Sequence, residues 1–157
     1  MNTSVAILGL GAMGLAMAQC LAQTREVHGF DPQPAQREKA AASGITPHQT
    51  ARDAAVGRDV ALVVVRDEQQ LHECLFGTDG IAEVLAKGAA VVVTSTVGVE
   101  AVAPVKERLD AMGLGLVDAP LSGGPLRAAK GDLLIVVGAD PGVRAQAEPV
   151  LSALAST

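Results

Sequence analysis

"VAILGLGAMGLAMAQCLA", residues 5–22, decides the fold. Val5–Gly9 is a short apolar run that reads as a strand. Ala12–Gln23 then places Ala, Met and Leu at helical spacing. Between them Gly9-Leu10-Gly11-Ala12-Met13-Gly14 spells G-x-G-x-x-G. Alone, that spacing is a weak signal. Directly after a strand and at the opening of a helix, each glycine gains a physical task. Gly9 permits a tight turn, Gly11 lets an anionic group reach the backbone, and Gly14 lets the helix sit close on the sheet. The free N–H groups and the dipole at that helix start favour negative charge.

Reading outward, Glu26–Asp31 is a second strand that ends in an acid. Pro32–Ser43 is helical, with Pro32 early in the helix and Gly44 ending it. Ile45–Pro47 is a brief third strand. Thr50–Val56 is a short helix with Thr50 as N-cap. Asp59–Val65 and Ala89–Thr94 are continuous apolar runs, as expected of strands buried on both faces. Glu68–Leu75 and Val99–Met112 are helices, the second ended by Gly113. Leu114–Asp118 and Leu133–Gly138 are strands, and Val143–Leu154 is a helix. Strand and helix alternate, which predicts an α/β, doubly wound, Rossmann-type domain over residues 1–157 with a mostly parallel sheet. Residues 119–132 hold turn formers rather than a helix. A parallel return needs a dozen or more residues, usually helical, so the strand after them is expected to run antiparallel.

Composition supports this class. The 157 residues are 49% hydrophobic, yet include two Phe, no Tyr and no Trp. Small aliphatic side chains suit helices packed closely on a sheet. They do not suit base stacking, and the net charge of −5 argues against a nucleic acid partner. No apolar run approaches the ~18 residues of a membrane span, and Gly and charges interrupt the apolar N-terminus. A cytoplasmic protein with no membrane or metal partner is expected. Cys20 and Cys74 form no metal or redox spacing and read as small buried hydrophobes.

Asp31 closes the second strand, about twenty residues beyond the glycine loop, where a carboxylate bonds a ribose hydroxyl pair. A 2′-phosphate would face it as a like charge. At ~4 Å and an effective dielectric of ~20, that repulsion reaches up to about 4 kcal/mol before screening. Pro32-Gln33 supply no cation to offset it, so NAD is preferred over NADP. Val65-Arg66 and Thr94-Ser95-Thr96 stand at the carboxyl ends of two further strands, where open α/β sheets take their ligands. Thr96 offers a hydroxyl to the nicotinamide side, or caps the following helix; Arg66 flanks the cofactor or is simply solvated. The expected cofactor-binding set is Gly9, Leu10, Gly11, Ala12, Met13, Gly14, Asp31, Val65, Arg66 and Thr96.

Three motifs resemble the β-hydroxyacid dehydrogenases, the family that includes 3-hydroxyisobutyrate dehydrogenase. "GLGAMGLAMAQCL", 9–21, is similar to the family's glycine loop, with Ala16-Met17 where a Pro-Met pair is usual. "TSTV", 94–97, resembles its cofactor segment. "DAPLSGGPLRAAKGDL", 118–133, resembles its substrate signature. "LFGTDGIAEVL", 75–85, is similar to the subgroup acting on four-carbon sugar acids such as L-threonate. Arg66 departs from the Pro found in many members. The resemblance implies that Ser122, Gly123 and Gly124 hold a substrate carboxylate, which suits the anion nest that successive N–H groups of a glycine turn make.

The resemblance also implies a Lys proton acceptor on a helix just beyond residue 157, then a helical domain that completes the pocket and the contacts of a homo-oligomer. No catalytic residue is assigned within the chain. Lys130 belongs to the substrate loop, and His28, His48 and His72 lie on no motif. The chain alone is expected to bind NAD, to turn over nothing and to self-associate. Two competing classes remain open: a non-catalytic NAD-sensing module, and the cofactor domain of an imine reductase or a 6-phosphogluconate-type dehydrogenase.

Overall fold

The computed structural model describes residues 3–156. Its strands are β1 (Val5–Leu8), β2 (Val27–Phe30), β3 (Thr46–Pro47), β4 (Val60–Val63), β5 (Ala90–Val93), β6 (Gly115–Asp118), β7 (Leu121–Ser122) and β8 (Leu134–Ile135). Its helices are α1 (Ala12–Ala22), α2 (Pro34–Ala42), α3 (Ala51–Ala55), α4 (Glu68–Phe76), α5 (Val99–Ala111), α6 (Gly124–Ala129) and α7 (Pro141–Leu154).

The first six strands form one parallel sheet in the order β3-β2-β1-β4-β5-β6. The chain steps outward from β1 through β2 to β3, then returns across β1 to β4. The order therefore reverses between β1 and β4, and a crevice opens outside the carboxyl ends of those two strands.

Side chains alternate between two apolar layers. Val5 and Ile7 of β1 pack with Leu10, Met17, Leu21 and Leu154, while Ala6 and Leu8 pack with Leu71, Leu75, Val105 and Leu109. With helices on both faces, neither face can be polar. That is why β1, β4 and β5 are apolar throughout.

Three expectations need correction. The second helix begins at Pro34, with Gln33 as N-cap at φ −88°, ψ 121°. A proline disfavours helical backbone in the residue before it, so Pro34 keeps Gln33 extended and a helix from Pro32 cannot form. Residues 119–132 contain a helix, α6. Gly124 and Pro125 open it, Leu126, Arg127, Ala128 and Ala129 propagate it, and Gly131 at φ 69° ends the turn that follows. So short a helix is marginal alone; α6 is held by packing on α1 and by burial of Ala128. The late strand is antiparallel as expected but short. β8 pairs with β7 in a separate two-stranded sheet. Asp118 and Gly138 join that corner to the main sheet through reciprocal N–H to carbonyl bonds of 2.9 and 2.8 Å. Thr50 caps α3 as expected, its hydroxyl accepting from the Asp53 N–H at 3.0 Å.

Candidate cofactor cleft

A cleft of about 1030 Å³ lies at the β1/β4 reversal. Gly9, Gly11, Ala12, Met13, Gly14, Asp31, Val65 and Arg66 all line it. The three glycines do different work. Gly9 sits at φ 109°, and a Cβ there would lie 2.3 Å from the Val64 carbonyl oxygen. A Cβ on Gly14 would lie 1.8 Å from the Gly9 carbonyl oxygen. Those two positions are closed by the fold itself. A Cβ on Gly11 would meet nothing within 4 Å, although Gly11 is part of the cleft wall. The space it leaves belongs to the cleft.

Gly11 is the N-cap of α1, and no side chain caps that helix. The Leu15 N–H is the first to bond back, to the Gly11 carbonyl at 2.9 Å. The N–H groups of the preceding turn are the donors a helix start offers to an anion. No acidic residue stands in that turn to compete.

Asp31 is held at the cleft wall from both sides. Its Oδ2 accepts from the Leu10 N–H at 2.9 Å and its Oδ1 from the Gln33 N–H at 2.9 Å. A carboxylate has about four acceptor sites, so capacity for hydroxyl donors remains. Arg37 approaches the same turn, its Nη1 donating to the Asp31 carbonyl at 2.8 Å and the Pro32 carbonyl at 3.3 Å. The sequence places no cation beside Asp31; α2 brings this one back within a single turn or so of helix.

Across the cleft, the Ser95 hydroxyl donates to the Val65 carbonyl, and the Arg66 N–H donates to Gln70 Oε1 at 2.8 Å. Leu10 is fully buried beneath the loop rather than on the cleft wall. Thr96 is exposed and is not among the cleft-lining residues. It does not cap α5, whose N-cap is Gly98 at φ 87°. Ser122, Gly123 and Gly124 lie apart from the cleft lining, running from the end of β7 into the start of α6, on the corner that leaves the carboxyl end of β6. Gly123 at φ 139° and Gly124 at φ 75° give that turn a backbone other residues avoid.

The cleft also uses residues the sequence reading passed over. Gln70, Glu73 and Cys74 project from one face of α4, at i, i+3 and i+4 spacing that was legible in principle. Burial pushes the Cys74 thiol up to about 12, so it stays protonated. Gln36 also lines the cleft, and its contact with Leu10 was not legible. Among the described residues no group of three His, Cys, Asp or Glu side chains is placed to hold a metal ion. No helix among them is long and apolar enough to cross a membrane.

A doubly wound parallel sheet, a glycine loop opening an uncapped helix at the strand-order reversal, and a carboxylate closing β2 together define a dinucleotide-binding domain. The chain belongs to the family described as the NAD binding domain of 6-phosphogluconate dehydrogenase, whose model matches residues 4–157. It is 34% identical over 157 residues to the L-threonate dehydrogenase of Haemophilus influenzae, covering 99% of this chain and 52% of that protein. It is similar to the crystal structure of 3-hydroxyisobutyrate dehydrogenase from Salmonella typhimurium, with a TM-score of 0.92 and 32% identity over 99% of this chain and 55% of that one. The Mycobacterium tuberculosis 3-hydroxyisobutyrate dehydrogenase with L-serine gives 0.90 at 32% identity, over 99% of this chain and 53% of that one. The chain thus spans about half the length of these relatives.

Proposed function

We propose that this chain is the cofactor-binding domain, over residues 1–157, of an NAD-linked dehydrogenase of small 3-hydroxy acids. The substrates we favour are 3-hydroxyisobutyrate and four-carbon sugar acids such as L-threonate. Resemblance to dehydrogenases of both kinds supports the class. When bound, NAD supplies the hydride acceptor. The start of α1 and the space at Gly11 suit its pyrophosphate, and Asp31 suits a ribose hydroxyl pair. Val65 and Arg66 border the nicotinamide half in the cleft, and Thr96, just outside the cleft lining, offers it a hydroxyl from the β5–α5 loop. Ser122 with the N–H groups of Gly123 and Gly124 receives the substrate carboxylate. Hydride removal from an alcohol also needs a proton acceptor near the hydroxyl. We assign that role to no residue of the 157, so the chain by itself binds NAD without turnover.

The observation that carries the cofactor reading is Asp31. Its carboxylate is fixed by two backbone donors at the cleft wall, where a 2′-phosphate would meet it. Calorimetric titration of the chain with NAD and NADP tests this. NAD should bind at least about tenfold tighter, a gap of roughly 1.4 kcal/mol. Asp31→Ala should shrink the gap. NADP binding as tightly as NAD to the unaltered chain would sink the preference.

A further inference from the structure

Leu10 is the middle residue of Gly9-Leu10-Gly11, and side chains of the β2–α2 connection and of α2 itself grip its backbone at both ends. Its N–H donates to Asp31 Oδ2 at 2.9 Å, and its carbonyl accepts from Gln36 Nε2 at 2.6 Å. One residue earlier, the Gly9 N–H donates to the Phe30 carbonyl at 2.8 Å. The Leu10 side chain is itself fully buried, with both its Cδ atoms 3.3 Å from where a Cβ on Gly29 would stand. Three backbone groups and one side chain of the loop are therefore tied to the second strand, the helix and the turn between them.

A trans peptide points its carbonyl and the following N–H in opposite directions. By holding the Leu10 carbonyl, Gln36 also sets the direction of the Gly11 N–H. We propose that Gln36 is a positioning residue for the dinucleotide. With Asp31 on the Leu10 N–H, it clasps the glycine loop in the shape that presents the start of α1 to the cleft. Asp31 then has two duties, as ribose acceptor and as one jaw of the clasp. A loop fixed before binding spares the ordering cost at binding, so loss of the clasp weakens affinity more than it weakens the fold. The inference rests on the reading that the cleft takes NAD.

Gln36→Met keeps the length of the side chain and removes the donor. It should weaken NAD binding about five- to tenfold, the scale of one hydrogen bond, with little change in melting temperature. In the unliganded chain, the Leu10 and Gly11 amides should exchange faster with solvent. Gln36→Glu sharpens the test. As an anion it faces the Leu10 carbonyl and should bind NAD more weakly than Gln36→Met. Protonated, its carboxyl can donate to that carbonyl. Its affinity relative to Gln36→Met should therefore rise as pH falls through the carboxylate range, a profile that mere loss of packing does not give. If the unaltered chain binds NAD and Gln36→Met binds it equally well, the clasp has no role in binding and the proposal falls alone. If the unaltered chain binds no NAD, the reading of the cleft falls and takes this role with it.

Discussion

The β1–α1–β2–α2 half and the β7–α6–β8 corner carry the two glycine motifs of the chain, and they are built in opposite ways. The first half uses four-residue strands buried on both faces, and its loop is tied down by Asp31 and Gln36. The corner uses two-residue strands and a six-residue helix. It leaves Leu126 80%, Leu134 61% and Val136 65% exposed. In the first half Gly9 and Gly14 are required by space, because backbone atoms occupy the place of a side chain. In the corner Gly124 has open space around it, and what demands glycine is its positive φ. The same residue type thus answers two separate physical demands.

Glycine substitutions test that contrast directly. The largest effect is expected from Gly14→Ala, whose methyl would overlap the Gly9 carbonyl oxygen. It should cost about 3 kcal/mol or more in a denaturant melt, since backbone cannot step aside as a side chain can. Gly11→Ala is its counterpart. Stability should hold within about 0.5 kcal/mol while NAD affinity drops more than about tenfold. Equal damage from both would erase the distinction between glycines closed by the fold and the glycine kept open at the cleft.

Gly124→Ala should fall between these. A left-handed backbone costs an alanine about 1–2 kcal/mol, with no steric clash added. NAD affinity should not change, because Gly124 is not on the cleft wall. A loss of affinity as large as that of Gly11→Ala would show that the two regions are not separable.

The smallest effect concerns pH and sits at the edge of the first half, where His48 beyond β3 meets β2. His28 on β2 meets Glu26 at 2.5 Å and His48 at 2.8 Å. Burial first, then the neighbouring His28 and Arg58, holds the His48 imidazole below its ordinary range, with Asp53 opposing. Folding therefore favours the neutral ring of His48. Its contribution is fully present above the unfolded value of about 6.5 and is lost as pH falls from there through the lower folded value. The melting temperature should decline over that window, and His48→Gln should flatten the decline. A pH-independent melting temperature in the unaltered chain would contradict this.

Much of the first half was legible because its signals are local. A G-x-G-x-x-G between strand and helix and an acid at the end of the next strand sit at spacings set by one βαβ unit. The corner was not legible for the converse reason. Gly123-Gly124-Pro125 reads as a turn, and α6 becomes a helix only because α1 is there to bury Ala128. Pro32 and Pro34 compete for one helix start, and the deciding fact is the constraint each places on its predecessor. Strand ends alone do not say which way the loop carrying Thr96 turns after leaving the sheet. Gln36 shows no motif at all, since its partner lies 26 residues back along the chain.

Helix α1 touches both regions. Its first turn faces the cleft, and α6 lies along its flank, with the Gly131 turn against Cys20. In a machinist's terms α1 is the datum from which both features are cut. An error in its seating shifts cofactor loop and Ser-Gly-Gly turn together and leaves their separation intact. An error in α6 opens that separation while the cofactor loop stays true.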